Sequence, residues 1–214
     1  EEQVRARVRV GDLVSVRPGS LRLLGGRLAG KALDNRAGVA VLLECMSRLA
    51  RMAHAAEVYA VATVQEEVGL RGAQVAAHRI RPRFALVLEG TTCADIPAPE
   101  PGEEGGSPST RLGDGPALTF LDSTLRAHPV LVDALVEVAE AEGIPWQWKR
   151  TTLGGTDGGA IHRAAGGVPT AVVSVPCRYI HSPCAFMDLD DVEHTFRLVT
   201  AFLRRADRIA AALP

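Results

Sequence analysis

Apolar and polar residues alternate along residues 10 to 17 (VGDLVSVR) behind a Gly-Asp turn, which predicts a half-buried strand stopped by Pro18 and Gly19. From residue 34 to 50 the period lengthens. Val41, Leu42, Cys45, Met46 and Leu49 recur at helical spacing and define one buried face. Residues 58 to 64 are apolar and valine-rich, as in a strand covered on both faces, and run into Gln65-Glu66-Glu67. Gly69 and Gly72 supply a turn, a short helix over 73 to 79 follows, and 84 to 88 (FALVL) reads as a buried strand ending on Glu89.

Residues 95 to 115 mix Pro, Gly and acids, the composition of an exposed loop, before an extended pattern resumes over 116 to 121. Residues 129 to 142 place Leu131, Leu135, Val138 and Ala139 on one helical face, with Gly143 at the stop. A strand over 146 to 151 leads to LGGTDGG. Asp157 is there expected to cap a short helix over 160 to 165. A buried strand over 168 to 175 and a long helix over 189 to 213, with Val192, Phe196, Val199, Leu203 and Ile209 inward, complete the pattern. Strands alternating with helices predict an α/β fold, a layered mixed sheet flanked by helices.

The chain has 214 residues, 47% of them apolar, enough for one substantial core. Its formal charge of -1 lacks the positive field a nucleic-acid partner requires. Cys45, Cys93, Cys177 and Cys184 are too sparse for a disulfide scaffold and form no Cys-x-x-Cys metal pair, which fits free thiols in a reducing compartment. No run approaches ~20 apolar residues and no leader opens the chain, so the expectation is a cytoplasmic protein without a membrane partner.

The chemistry-bearing residues gather where α/β sheets place ligands, at strand ends: Glu66 and Glu67, Glu89, and His181 beyond the strand ending at Val175, with Asp34 at a helix start. Carboxylates and an imidazole this close would repel unless cations neutralised them, and mixed oxygen and nitrogen donors suit zinc, cobalt or manganese. Adjacent glutamates in extended backbone point to opposite sides, so one is expected to bind metal and the other to stay free as a general base, which suggests hydrolysis. Each residue also has a bland role: a solvated glutamate pair, a capping Asp, a loop His, a glutamate neutralised by Arg. His54, His78, His128, His162 and His194 lack a second ligand at helical spacing and read as structural. LGGTDGG lacks the Lys-Ser or Lys-Thr of a phosphate loop, and no Gly-x-Ser-x-Gly elbow is present.

Five segments in order, GKALDNRAG (30 to 38), VQEEVGLRGA (64 to 73), LEGTTCADIP (88 to 97), GGTDGGAIH (154 to 162) and VPCRYIHSP (175 to 183), resemble the glutamyl and tetrahedral aminopeptidases. That family of cocatalytic metallopeptidases includes members labelled cellulases or endoglucanases. The resemblance implies a zinc-aminopeptidase-like fold and a metal-dependent aminopeptidase that releases amino-terminal residues from peptides. It implies that Asp34 bridges two divalent ions, that Glu67 and His181 complete one, that Glu89 holds the other where relatives have Asp, and that Glu66 is the base. It also implies a cis bond after Asp34 and assembly into a homo-oligomer. Relatives carry a further His in a His-x-Asp motif upstream of the bridging Asp, followed by an inserted β-rich dimerisation domain. Residues 1 to 27 resemble the tail of that insert, and 28 to 214 the catalytic domain without its amino-terminal part. A non-catalytic assembly or regulatory subunit is the competing expectation, separable by metal content.

Overall fold

The computed structural model describes residues 1–17, 19–96 and 110–214. In chain order the elements are α1 (Glu2–Arg5), β1 (Ser20–Arg22), β2 (Arg27–Gly30), α2 (Leu33–Leu49), α3 (Arg71–Ile80), β3 (Ala85–Thr92), β4 (Ala117–Thr119) and α4 (Pro129–Ala141). They continue with β5 (Gln147–Trp148), α5 (Gly158–Ile161), β6 (Thr170–Cys177), β7 (Ala185–Asp188), α6 (Leu189–Leu203) and α7 (Ala206–Ala211).

The main sheet runs β3-β6-β4-β5, with β3 parallel to β6, β4 antiparallel to β6 and β4 parallel to β5. β6 lies between two strands and is buried along its whole length, which is why Thr170–Cys177 is mostly apolar, with Thr170 and Ser174 buried among its valines. Its alternate residues serve two layers. Ala171 and Val173 pack with Val41 of α2, Leu131 and Leu135 of α4, and Leu198 and Phe202 of α6. Val172 joins Val87 of β3 with Leu125 and Ile161 of α5. The result is the mixed, helix-flanked α/β sheet that the sequence predicts. A second sheet, β1-β2-β7, is antiparallel throughout, and Ala185 and Met187 of β7 pack against Leu33, Ala37 and Val175.

Helices α2 and α4 bury the predicted faces, and Gly143 stops α4 with φ +60, where a side chain would be strained. The expected helix over 189 to 213 is interrupted: Arg205 leaves helical geometry (φ -106, ψ 10) and divides it into α6 and α7. Residues 10 to 17 form no strand. Val10 and Leu13 are fully exposed because no layer lies against the alternating pattern, and Asp12 N bonds Arg9 O in a turn. Nor do residues 58 to 64, whose backbone from 58 to 63 makes no hydrogen bond among the described residues, leaving Tyr59, Val61 and Val64 exposed. Pro18 and residues 97 to 109 of the expected loop lie outside the described residues; 95, 96 and 110 to 115 are irregular, as expected. Glu89 sits inside β3 rather than at its end, since the strand continues to Thr92. β1, β2 and β7 are short elements that periodicity did not predict.

Candidate metal centre

Asp34 stands at the entry to α2 with extended rather than helical backbone (φ -83, ψ 108), and the Asp34–Asn35 peptide is cis, as the resemblance implied. Asn35 then fixes this entry to the sheet: its Nδ2 donates to Leu88 O at 2.7 Å and its Oδ1 accepts from Gly38 N at 3.0 Å. Close approach requires the glycine at position 38 and leaves little room at position 90. A Cβ on Gly38 would lie 2.9 Å from Leu88 O, and one on Gly90 would lie 3.3 Å from Asp34 Cβ.

Around that anchor the chain brings three ligand types together. Donor atoms of Asp34, Glu67 and His181 all lie within 4.8 Å of one another. His181 Nε2 is 3.1 Å from Asp34 Oδ2 and 3.7 Å from Glu67 Oε2. Glu89, buried in β3, accepts from Gly90 N at 3.1 Å and interacts electrostatically with the Asp34 carboxyl. Burial first, and then the Asp34 charge, push the Glu89 carboxyl well above the ordinary range. Glu66 is pushed up to about 7, by burial first and then by Asp157, Glu67 and Asp34, with His181 acting the other way. The five residues singled out from the sequence therefore share one electrostatic site. No other His joins the three-residue group among the described residues.

The donor set fits a divalent cation. A buried carboxyl on β3 beside two carboxylates and an imidazole whose donor atoms lie within 4.8 Å of one another makes a negative pocket whose mutual repulsion a +2 charge would offset, with the oxygen and nitrogen donors that zinc, cobalt or manganese accept. Bound there, such an ion reverses the upward push on Glu66 and Glu89.

Three neighbours of this site are not visible in the sequence. Asp157 precedes α5 as expected but makes no capping bond; its Oδ2 instead accepts from Thr63 Oγ1 at 2.5 Å, and its charge acts on Glu66. The expected cap is overturned because a tertiary hydroxyl takes the carboxylate. Asp95 and Arg178 form a two-toothed ion pair behind the turn that carries His181. The only available signals were an acid in the glycine-rich run and an Arg three residues before His181. The glycines of LGGTDGG serve packing: Cβ atoms on Gly155 and Gly158 would lie 2.7 Å from Thr124 and Leu125 side-chain carbons. His162 turns inward to Gly158 O (2.9 Å), and all four cysteines are free thiols. A cavity of about 510 Å³ elsewhere is bounded by Arg204, Arg205 and Arg208, offset by Glu142 and Asp207, and takes in none of these residues.

Carboxylates and an imidazole thus converge beside the parallel strands of a mixed α/β sheet, a donor set of the kind that could hold a divalent cation. The family model described as M42 glutamyl aminopeptidase matches residues 1–198, and this chain belongs to that family. It is 35% identical over 206 residues to a lysyl aminopeptidase of Pyrococcus furiosus, covering 95% of this chain and 56% of that one. An aminopeptidase of the archaeon Desulfurococcus kamchatkensis superposes with a TM-score of 0.88 at 37% identity, covering 99% of this chain and 59% of the other. A TET peptidase of Pyrococcus horikoshii, described as assembling into a tetrahedron or a large octahedral shell, gives 0.74 at 30% identity over 87% and 53%. The chain spans about half the length of the curated relatives it matches. Among the described residues no helix is long and apolar enough to cross a membrane.

Proposed function

We propose that this chain carries the catalytic centre of a metal-dependent aminopeptidase. The observation that carries the reading is the convergence of Asp34, Glu67 and His181 donor atoms within 4.8 Å, with Glu89 and Glu66 interacting electrostatically with Asp34. Asp34 would bridge two divalent ions, Glu67 and His181 completing one site and Glu89 contributing to the other. The ions, when bound, polarise the scissile carbonyl and acidify the attacking water.

Glu66 is the group left to move protons. Next to Glu67 and partly buried, it takes the proton of the attacking water and returns it to the departing amine, so one carboxylate serves both half-reactions. The paired ion-holding residues and a retained free base speak against the assembly-subunit alternative. The substrate is a peptide with a free amino terminus. The shell-forming relative supports a homo-oligomer; residues 1 to 27 would be the tail of an inserted β-rich domain and 28 to 214 the catalytic part.

The test is elemental analysis of the purified chain together with hydrolysis of free-amino and amino-blocked peptides by wild type and Glu66→Gln. Stoichiometric zinc, cobalt or manganese, cleavage restricted to free-amino peptides, and loss of cleavage with metal retained in the variant are expected. A chain without metal, inert even with zinc or cobalt added, overturns the reading.

A further inference from the structure

β3 and β6 run parallel in register from Ala85↔Thr170 to Thr92↔Cys177, and Cys93 N extends the ladder to Cys177 O at 2.9 Å. The two strands therefore leave the sheet together at the metal centre, β3 after delivering Glu89 and β6 into the turn that delivers His181. One residue beyond β6, Arg178 pairs with Phe186 through both backbone groups (2.9 and 3.0 Å) and closes a loop around residues 179 to 185. His181 sits on that loop with φ +59 and Tyr179 with φ +57, both unusual for side-chain-bearing residues. The His181 side chain is 64% exposed, so packing does not fix it; the loop must.

The Arg178 side chain supplies the hold. Its Nε donates to Asp95 Oδ1 at 2.7 Å and its Nη2 to Asp95 Oδ2 at 2.9 Å, a planar fork matched to both carboxylate oxygens. Asp95 Oδ2 also accepts from Leu112 N at 3.0 Å. Leu112 is itself steadied by its neighbours Gly113 and Gly115, whose N–H groups both donate to the buried Asp191 carboxylate at 2.8 Å. With side-chain exposures of 11% for Asp95 and 27% for Arg178, the pair is better shielded than a surface ion pair. Burial pushes the Asp95 pKa up, but the Arg178 and Leu112 bonds outweigh it and hold the carboxyl below its usual range.

We propose that Asp95 and Arg178 are positioning residues for the metal centre, a clamp that locks the base of the 179 to 185 loop and so aims His181 at Asp34 and Glu67. Neither touches the ion or substrate. A ligand whose loop drifts by an ångström loses affinity even when every donor is present, and a fork of two parallel hydrogen bonds resists the rotation that a single point charge would allow. The proposal rests on the metal-centre reading above, and its test separates the two.

The full chain and the variants Asp95→Asn, Arg178→Lys and Glu142→Ala are compared, the last breaking the separate Arg205–Glu142 pair at 2.8 Å. Two readouts are taken: cobalt(II) affinity from its visible absorption, and amide exchange of residues 179 to 185 without any metal. The clamp predicts that Asp95→Asn and Arg178→Lys weaken cobalt about 10- to 100-fold, as loss of a ligand-orienting group does, and speed loop exchange. Glu142→Ala should leave both unchanged. Arg178→Lys keeps the charge but not the fork, so loss of cobalt affinity in that variant assigns the effect to the two-bond geometry rather than to charge. Unchanged loop exchange in both clamp variants, or wild-type cobalt affinity despite faster exchange, overturns the proposal. If the wild type itself takes up no cobalt, the metal-centre reading fails and, with no ligand to aim, the positioning role falls with it.

Discussion

His181 Nε2 lies 3.1 Å from Asp34 Oδ2, so the turn after β6 closes onto the entry of α2 and completes a group that neither segment could form alone. Removing either side chain breaks that closure. His181→Ala and Asp34→Asn are each expected to weaken zinc or cobalt binding by about 100-fold or more, since loss of an orienting neighbour alone costs about 10- to 100-fold. Calorimetric titration of the metal-stripped protein checks this, and affinity within a few-fold of wild type would remove both residues from the ligand set.

Without a divalent ion, stability should fall as pH rises from about 4.5 to about 7. Glu66 has a folded value of about 7 against 4.5 for the free side chain, and Glu89 is raised too, so the folded state holds more protons than the unfolded one across that window. Losing them costs folding free energy as pH climbs. Adding zinc should flatten the trend by favouring the ionised carboxylates. Melting temperature against pH, with and without zinc, reads the effect; the same slope in both series contradicts it.

Asp191 is completely buried and its two oxygens accept from Gly113 N and Gly115 N, each at 2.8 Å. Asp191→Ala leaves two donors without partners and should cost about 2–4 kcal/mol in urea unfolding. Asp191→Asn, which keeps an acceptor, should cost less. Equal losses in the two variants would mean that the bonds to the 113 to 115 segment contribute little.

Gly38→Ala tests the approach of α2 to β3. The added methyl meets Leu88 O and the Asn35 side chain, both held by the bond that anchors the Asp34 entry, so about 1–3 kcal/mol of destabilisation is expected. Gly19→Ala, where a Cβ meets nothing within 4 Å, is the control. Urea midpoints that move equally for the two would refute the close-approach argument.

The parts of the fold that were legible in the sequence are those whose pattern repeats over several turns. Val41, Cys45 and Leu49, or Leu131, Leu135 and Val138, announce a buried stripe that no tertiary detail overrides. Alternation over 10 to 17 and the valines of 58 to 64 misled because a strand pattern states what a segment buries if something covers it, and here nothing does. β1, β2 and β7 are three or four residues long, below the length at which a period is readable. The site residues were legible as residue types, acids and a His at the breaks of apolar runs, although of those expected at strand ends only His181 follows one, Glu89 lying inside β3 and Glu66 and Glu67 following no strand. Asp95–Arg178 and Thr63–Asp157 were not: their partners are 83 and 94 residues apart, and only the folded chain introduces them.

The unpaired stretch ahead of Glu66 has a consequence for handling this protein. Tyr59 and Val61 face solvent on backbone that makes no hydrogen bond among the described residues from 58 to 63, Val64 beyond them is exposed too, and neither a proline nor an inward-turned charge guards residues 58 to 64. A concentrated solution of the chain is therefore poised for sticky edge-to-edge growth through these residues, seen as light scattering that climbs with concentration and is suppressed by a lysine at position 61.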